Sequence, residues 1–158
     1  MKHFTLAAFS AERRIAAIAL FRGTHLEDMR LRHLSADTPK ASGSIRQLVT
    51  RFLQQRSPEF VAISFPSPKA GERILRFCDV VKETANSLGV PIVEVKDDTL
   101  MAAYGHPPLT RKQHVRRVGR AIWPSLNDLK SKRAAVDAST VGLYVQTERL
   151  FSQYEVQP

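Results

Sequence analysis

A single cysteine, Cys78, leaves this 158-residue chain without an internal disulfide framework and suits a reducing compartment. Long apolar runs are also missing. Ile15 to Phe21 is the longest near the N-terminus, far short of the ~20 residues that span a bilayer. The few apolar residues after Lys2 are interrupted by Glu12, Arg13 and Arg14 too early for an export segment, so the sequence reads as a cytoplasmic soluble protein. Repeats and disorder signatures are absent, and His3, His25, His33 and His106 have no metal-ligand spacing. Acids are the minority, 15 against 24 lysines and arginines, for a net charge of +9. What is present is 43% hydrophobic content, which at this length gives one domain over residues 1–158 with a real core.

The chain begins with strands. Phe4, Leu6 and Ala8 alternate with Thr5, Ala7 and Phe9, Ser10 to Arg13 supplies a turn, and Arg14 to Phe21 returns as a second apolar run. Gly23-Thr24-His25 makes another reversal, after which Leu26, Met29, Leu31 and Leu34 among charged residues read as a third strand with one wet face. Ser35 to Ser44 has loop chemistry, and Ser42 or Ser44 caps a helix whose Ile45, Leu48, Val49, Phe52 and Leu53 share a face. Phe60 to Phe65 is a short continuous apolar run, as expected of a central strand. A helix over Glu72 to Leu88 stops at Gly89 and leads to the strand Val90 to Val95, which implies a right-handed parallel crossover. Lys96-Asp97-Asp98-Thr99 then falls at the carboxyl edge of the sheet, where α/β sites lie. Asp97 and Asp98 equally suit the start of a short helix ending near Tyr104.

Charge is concentrated further on. From Arg111 to Arg133, eight cations (Arg111, Lys112, Arg116, Arg117, Arg120, Lys130, Lys132 and Arg133) face the single acid Asp128, so this segment carries seven of the nine net charges. Thr110 caps a helix with Val115, Val118 and Ile122 as a narrow apolar stripe under a cationic face, and Trp123-Pro124 closes it. Such a face binds a nucleic-acid backbone with little sequence preference and steep salt dependence. His114 adds a titratable donor there. Charge reversal at Arg116 and Arg117 is then expected to weaken nucleic-acid binding without unfolding the domain. A final helix runs roughly from Ala134 to Gln153. The fold class is α/β: a mixed five-stranded sheet, three antiparallel strands followed by two parallel ones, flanked by helices in the ribonuclease-H-like order.

Four stretches carry a family resemblance: Leu6 to Leu20, Phe60 to Ser64, Gly105 to Val118 around Leu109-Thr110-Arg111-Lys112-Gln113-His114-Val115, and Ala134-Ala135-Val136-Asp137-Ala138-Ser139. Across nearly the whole chain, in order and spacing, the sequence resembles the RuvC-type Holliday-junction resolvases of bacterial type. A weaker similarity runs to the YqgF-type ribosomal-RNA-processing nucleases. The resemblance implies cleavage by Mg2+ or Mn2+ held by carboxylates from the first strand, the fourth strand and the last helix, since two cations clamp the attacking and leaving oxygens. It also implies a basic region beside the groove and leaves room for a homodimer.

The carboxylates depart from that pattern. The first-strand position falls at Ala8 or Phe9, the fourth-strand position at Ser64 and the first of two last-helix positions at Ala134. Asp137 alone is retained, and a hard cation needs several oxygens gathered together, so no metal or other cofactor is expected. Three readings follow. The preferred one is a degenerate nuclease-fold protein that binds structured DNA or RNA through Arg111, Lys112, His114, Arg116, Arg117, Arg120, Lys132 and Arg133. The second is an active metal-dependent endonuclease with relocated ligands, Asp137 with Asp98 or Asp97, Glu12 being placed in the hairpin turn. The third is a protein-interaction module without a nucleic-acid role.

Overall fold

Pairing in the N-terminal hairpin continues three residues into the expected turn. Strand β1 (Thr5–Glu12) and strand β2 (Ile15–Arg22) run antiparallel, with Thr5 opposite Arg22 and Glu12 opposite Ile15. The reversal is therefore Arg13-Arg14, with Arg13 in the left-handed region at φ 56°. Ser10, Ala11 and Glu12, read from sequence as turn residues, are ladder residues instead, because extending the pairing satisfies their backbone groups inside the sheet. Gly23, also at positive φ, turns the chain into β3 (His25–His33).

The computed structural model describes residues 4–34, 39–66, 69–104, 112–128 and 132–156. Helix α1 (Pro39–Arg56) begins before the serines expected to cap it, so Ser42 and Ser44 lie inside the helix, and Pro39 supplies the preset φ that suits a first turn. Then come β4 (Phe60–Ser64), α2 (Glu72–Ser87), β5 (Ile92–Val95), α3 (Asp97–Tyr104), α4 (Lys112–Ile122), a 3-10 turn at Pro124–Asp128, and α5 (Lys132–Val156). Thr110 and the Gly105 to Pro108 break lie outside the described residues.

The sheet order is β3-β2-β1-β4-β5, with β1, β2 and β3 antiparallel and β4 and β5 parallel to β1, as the sequence predicts. Each face has its own core. Phe9 packs on one side, between Phe52 of α1 and Phe77 of α2. Leu6, Ala8 and Ala62 face the other, under Ala134, Ala138 and Val141 of α5. Two glycines allow the close approaches on this side. A Cβ at Gly142 of α5 would overlap the buried Phe21 ring, and one at Gly119 of α4 would lie 2.7 Å from Val136 Cγ1. The inner surface of α4 is accordingly Val115 and Gly119, whereas Ile122, expected on its apolar stripe, is 45% exposed. Trp123 closes the helix end as expected, its ring edge against Phe21 at 6.1 Å. Among the described residues no helix is long and apolar enough to cross a membrane.

Candidate functional site

The parallel strands β1, β4 and β5 end together, and the first two point polar side chains from their last residues toward the α4 and α5 side. Side chains alternate along a strand. With Leu6 and Ala8 under α5, Ser10 and Glu12 face the same way, and so does Ser64 two residues after Ala62. Ser10 sits one step beyond the Phe9–Ile63 pair, which sets it beside Ser64. Neither first-strand position expected from the resemblance reaches this mouth. Ala8 is fully buried under α5, and Phe9 belongs to the opposite core. The strand positions at the mouth hold two hydroxyls and, at the strand end, the carboxylate of Glu12.

Across from them Asp137 projects from α5, 3% exposed, and it is held by a guanidinium. Arg116 of α4 donates from Nε to Asp137 Oδ1 at 2.9 Å and from Nη2 to Oδ2 at 2.8 Å, the fork-on-fork geometry that makes arginine–carboxylate pairs strong. The same Nη2 donates to Glu12 Oε2 at 3.2 Å. Arg133 Nη1 lies 3.9 Å from the other Glu12 oxygen. Asp137 comes first among the influences on Arg116, its hydrogen bond pushing the guanidinium pKa up against the opposing effect of burial. Gly119, three residues along α4 from Arg116, lets the two helices approach closely.

Asp97, in the first turn of α3, lines a small depression with Asp137, Ser64 and Thr140. An adjoining cleft of about 190 Å³ is lined by Glu12, Ser64, Asp97, Phe65, Lys69 and Cys78, among others. Asp98 is exposed to solvent. The residues named from sequence therefore separate. Asp97 and Asp137 come together, and Glu12 joins them from the end of a strand rather than from a turn. Arg116 is committed inward with 13% of its side chain exposed, so it is not an outward contact, and reversing its charge would set a third acid between two others. Arg117 is exposed, Arg120 and His114 are partly buried, and 52% of the Arg133 side chain is exposed. Lys112 and Lys132 lie within α4 and α5, and Arg111 falls outside the described residues.

Sequence reasoning missed part of the cationic rim. Arg13 and Arg14 at the hairpin turn, Lys69 after β4 and Lys96 after β5 are all exposed. Lys96 lies 5.9 Å from the ring centroid of Phe65, itself 38% exposed beside the mouth. Their shared signal is position: each follows the end of a strand at the same edge.

Cys78 is core, as its place on the α2 stripe predicts. Burial pushes its thiol up to about 11, with Lys82 opposing and Asp79 and Glu94 adding to the rise. The fold thus favours the neutral thiol. That contribution is fully present below the unfolded value of 9.0 and is lost as pH rises through about 11. Cys78 in the native protein at pH 8 is expected to react with a thiol reagent at least about 100-fold more slowly than in the unfolded chain, because thiolate falls tenfold per unit. Equal rates in native buffer and denaturant would show that the thiol is accessible.

Bound Mg2+ or Mn2+ does not fit the residues present. Two of the polar positions at the mouth are serines, Ala134 is apolar, and Asp137 gives both oxygens to Arg116. Among the described residues no group of three or more His, Cys, Asp or Glu is placed to hold an ion.

No family model matches the chain, and no curated protein does. Solved structures are similar over nearly its whole length. RuvC of Thermus thermophilus superposes with a TM-score of 0.70 at 18% identity, covering 93% of this chain and 96% of that one. The same protein in complex with a Holliday junction substrate gives 0.72 at 18%, covering 94% and 96%. The Holliday junction resolvase of fowlpox virus with its junction DNA gives 0.62 at 12%, covering 93% and 99%. The likeness establishes the fold: this chain has the ribonuclease-H-like architecture of RuvC and other Holliday junction resolvases.

Proposed function

We propose that this chain binds structured DNA or RNA at the carboxyl edge of its sheet and does not cut it. The observation that carries the reading is the pairing of Arg116 with Asp137 and Glu12. Carboxylates at a groove mouth repel a phosphate backbone unless a cation screens them, and here an arginine does so from within. Around that ion-paired centre stand Arg13, Arg14, Lys69, Lys96, Arg117 and Arg133, drawn from five separate parts of the chain. Cations spread over several elements suit a bent or branched backbone better than a single basic helix does. Phe65, exposed at the same edge, offers a face on which an unpaired base can stack. Two relatives by fold hold junction DNA, which makes a four-way junction the first ligand to try.

The test is equilibrium binding to a four-way junction, a duplex and a single strand at several salt concentrations. Affinity is expected to fall steeply with salt, by about 0.9 in log–log slope for each phosphate engaged. Arg117→Ala with Arg133→Ala should lower affinity about tenfold or more and reduce the slope by about 1.8, at an unchanged melting temperature. Arg116 stays in place in that variant. Identical isotherms for variant and native protein would sink the reading. So would strand cleavage that EDTA abolishes and Mg2+ restores.

A further inference from the structure

The outer side of β3 supports a conclusion independent of whether nucleic acid binds at the mouth. The sheet ends at β3, a nine-residue strand that pairs with β2 and has no strand on its other side among the described residues. Its Leu26, Met29 and Leu31 pack against Leu126 and Val136, so one face is largely dry. Such an edge is a ready template for another strand. Alternate residues of an antiparallel strand turn their backbone groups away from the neighbour, and Met29 and Leu31, opposite Ala19 and Ala17, belong to that outward set. Both are already engaged. The Met29 N–H donates to Asp28 Oδ1 at 2.9 Å, and Arg32 Nη1 donates to the Leu31 carbonyl at 2.9 Å. The Asp28 carboxylate is itself fixed, its other oxygen accepting from Arg56 Nη2 of α1 at 2.9 Å and from Arg30 Nε at 3.3 Å. Beside it the register with β2 shifts between Leu20 and Phe21, leaving Glu27 as an extra residue.

We propose that β3 is a pairing edge held shut by Asp28 and Arg32, and that the strand it takes once they are removed is β3 of a second copy of this chain. Set antiparallel about Met29, the strand places Asp28 of each copy opposite Arg30 of the other and Met29 opposite Met29, so that opposite charges and apolar side chains meet. No foreign sequence is needed. Because the strand is its own complement, the two local hydrogen bonds keep the outward groups satisfied within one chain.

The experiment measures the weight-average mass of the full chain by sedimentation over a range of protein concentrations. Asp28→Val/Arg32→Val removes both blocks with residues that favour strands, and its mass is expected to reach about twice that of native protein at the same concentration, since a two-fold pairing closes on itself. Should that variant fail to fold, Arg32→Val, which keeps Asp28 and its ion pairs, gives the same reading with a smaller rise. Adding Met29→Pro to either variant removes an outward N–H without breaking the ladder to β2, and should return the mass to the native value. Amide exchange gives an independent reading: the outward Leu31 N–H should exchange at least about tenfold more slowly in the associated variant than in native protein. A mass unchanged in both variants would overturn the proposal. So would a rise that Met29→Pro leaves in place with no slowing at Leu31, because copies would then be meeting through side chains rather than through strands.

Discussion

Gly142→Ala is expected to destabilise the protein by about 3 kcal/mol, a fall in melting temperature of roughly 6–12 °C for a chain of this size. On propensity alone the sign would be opposite, since alanine in a helix interior gains about 1 kcal/mol over glycine. Packing decides it. The added methyl meets the ring of Phe21, which is fully buried in the middle of the sheet and already packed edge-on against Trp123. The ring has no open side to turn toward, so α5 must lift from β2, and α5 also covers β1 and β4. Thermal melting of Gly142→Ala beside Gly142→Ala/Phe21→Leu tests the cause. The second change trims the ring and should return at least half of the loss. A single variant as stable as native protein would show that α5 has room over the sheet.

On the opposite face, Phe9→Ala is expected to cost about 4 kcal/mol, within the range for deleting a buried phenyl ring. Phe9 is fully buried on the central strand and touches an aromatic from each covering helix, Phe52 at 6.4 Å and Phe77 at 6.3 Å between ring centroids. Its loss removes apolar contact and both ring pairs, and a cavity remains because strands on both sides of β1 hold the backbone in place. Urea unfolding should show a lower midpoint with an unchanged slope. A loss below about 1.5 kcal/mol would mean that α1 and α2 close over the gap.

Most of the architecture was legible because period and punctuation agreed: alternation in β1 and β3, a continuous apolar run in β4, and helical spacing in α2 ending at Gly89. The misplacements have specific causes. Ser10, Ala11 and Glu12 resemble a turn locally, but the true reversal uses Arg13 at positive φ, a residue type that carries no signal for it. Pro39 opened α1 where the serines drew attention instead. On α4 the apolar stripe was drawn through Ile122, because a glycine has no side chain to count and Gly119 is the true contact.

The site was legible in its residue types and not in their directions. Composition marked the basic segment and spacing marked Asp137. That Arg116 turns inward while its neighbour Arg117 turns out depends on acids 21 and 104 residues away, which no local pattern reveals. Starting the hairpin turn three residues later also changed the reading of Glu12, from a loop acid to a partner of that arginine. One error in register thus hid one member of the cluster.

Because the positive charge between Asp137 and Glu12 belongs to a side chain of the polymer, it is present in fixed stoichiometry from the moment of synthesis. Dialysis cannot strip it, competing transition metals cannot displace it, and swings in cellular magnesium leave it untouched. The electrostatic character of this edge is therefore inherited with the gene rather than set by the surrounding medium.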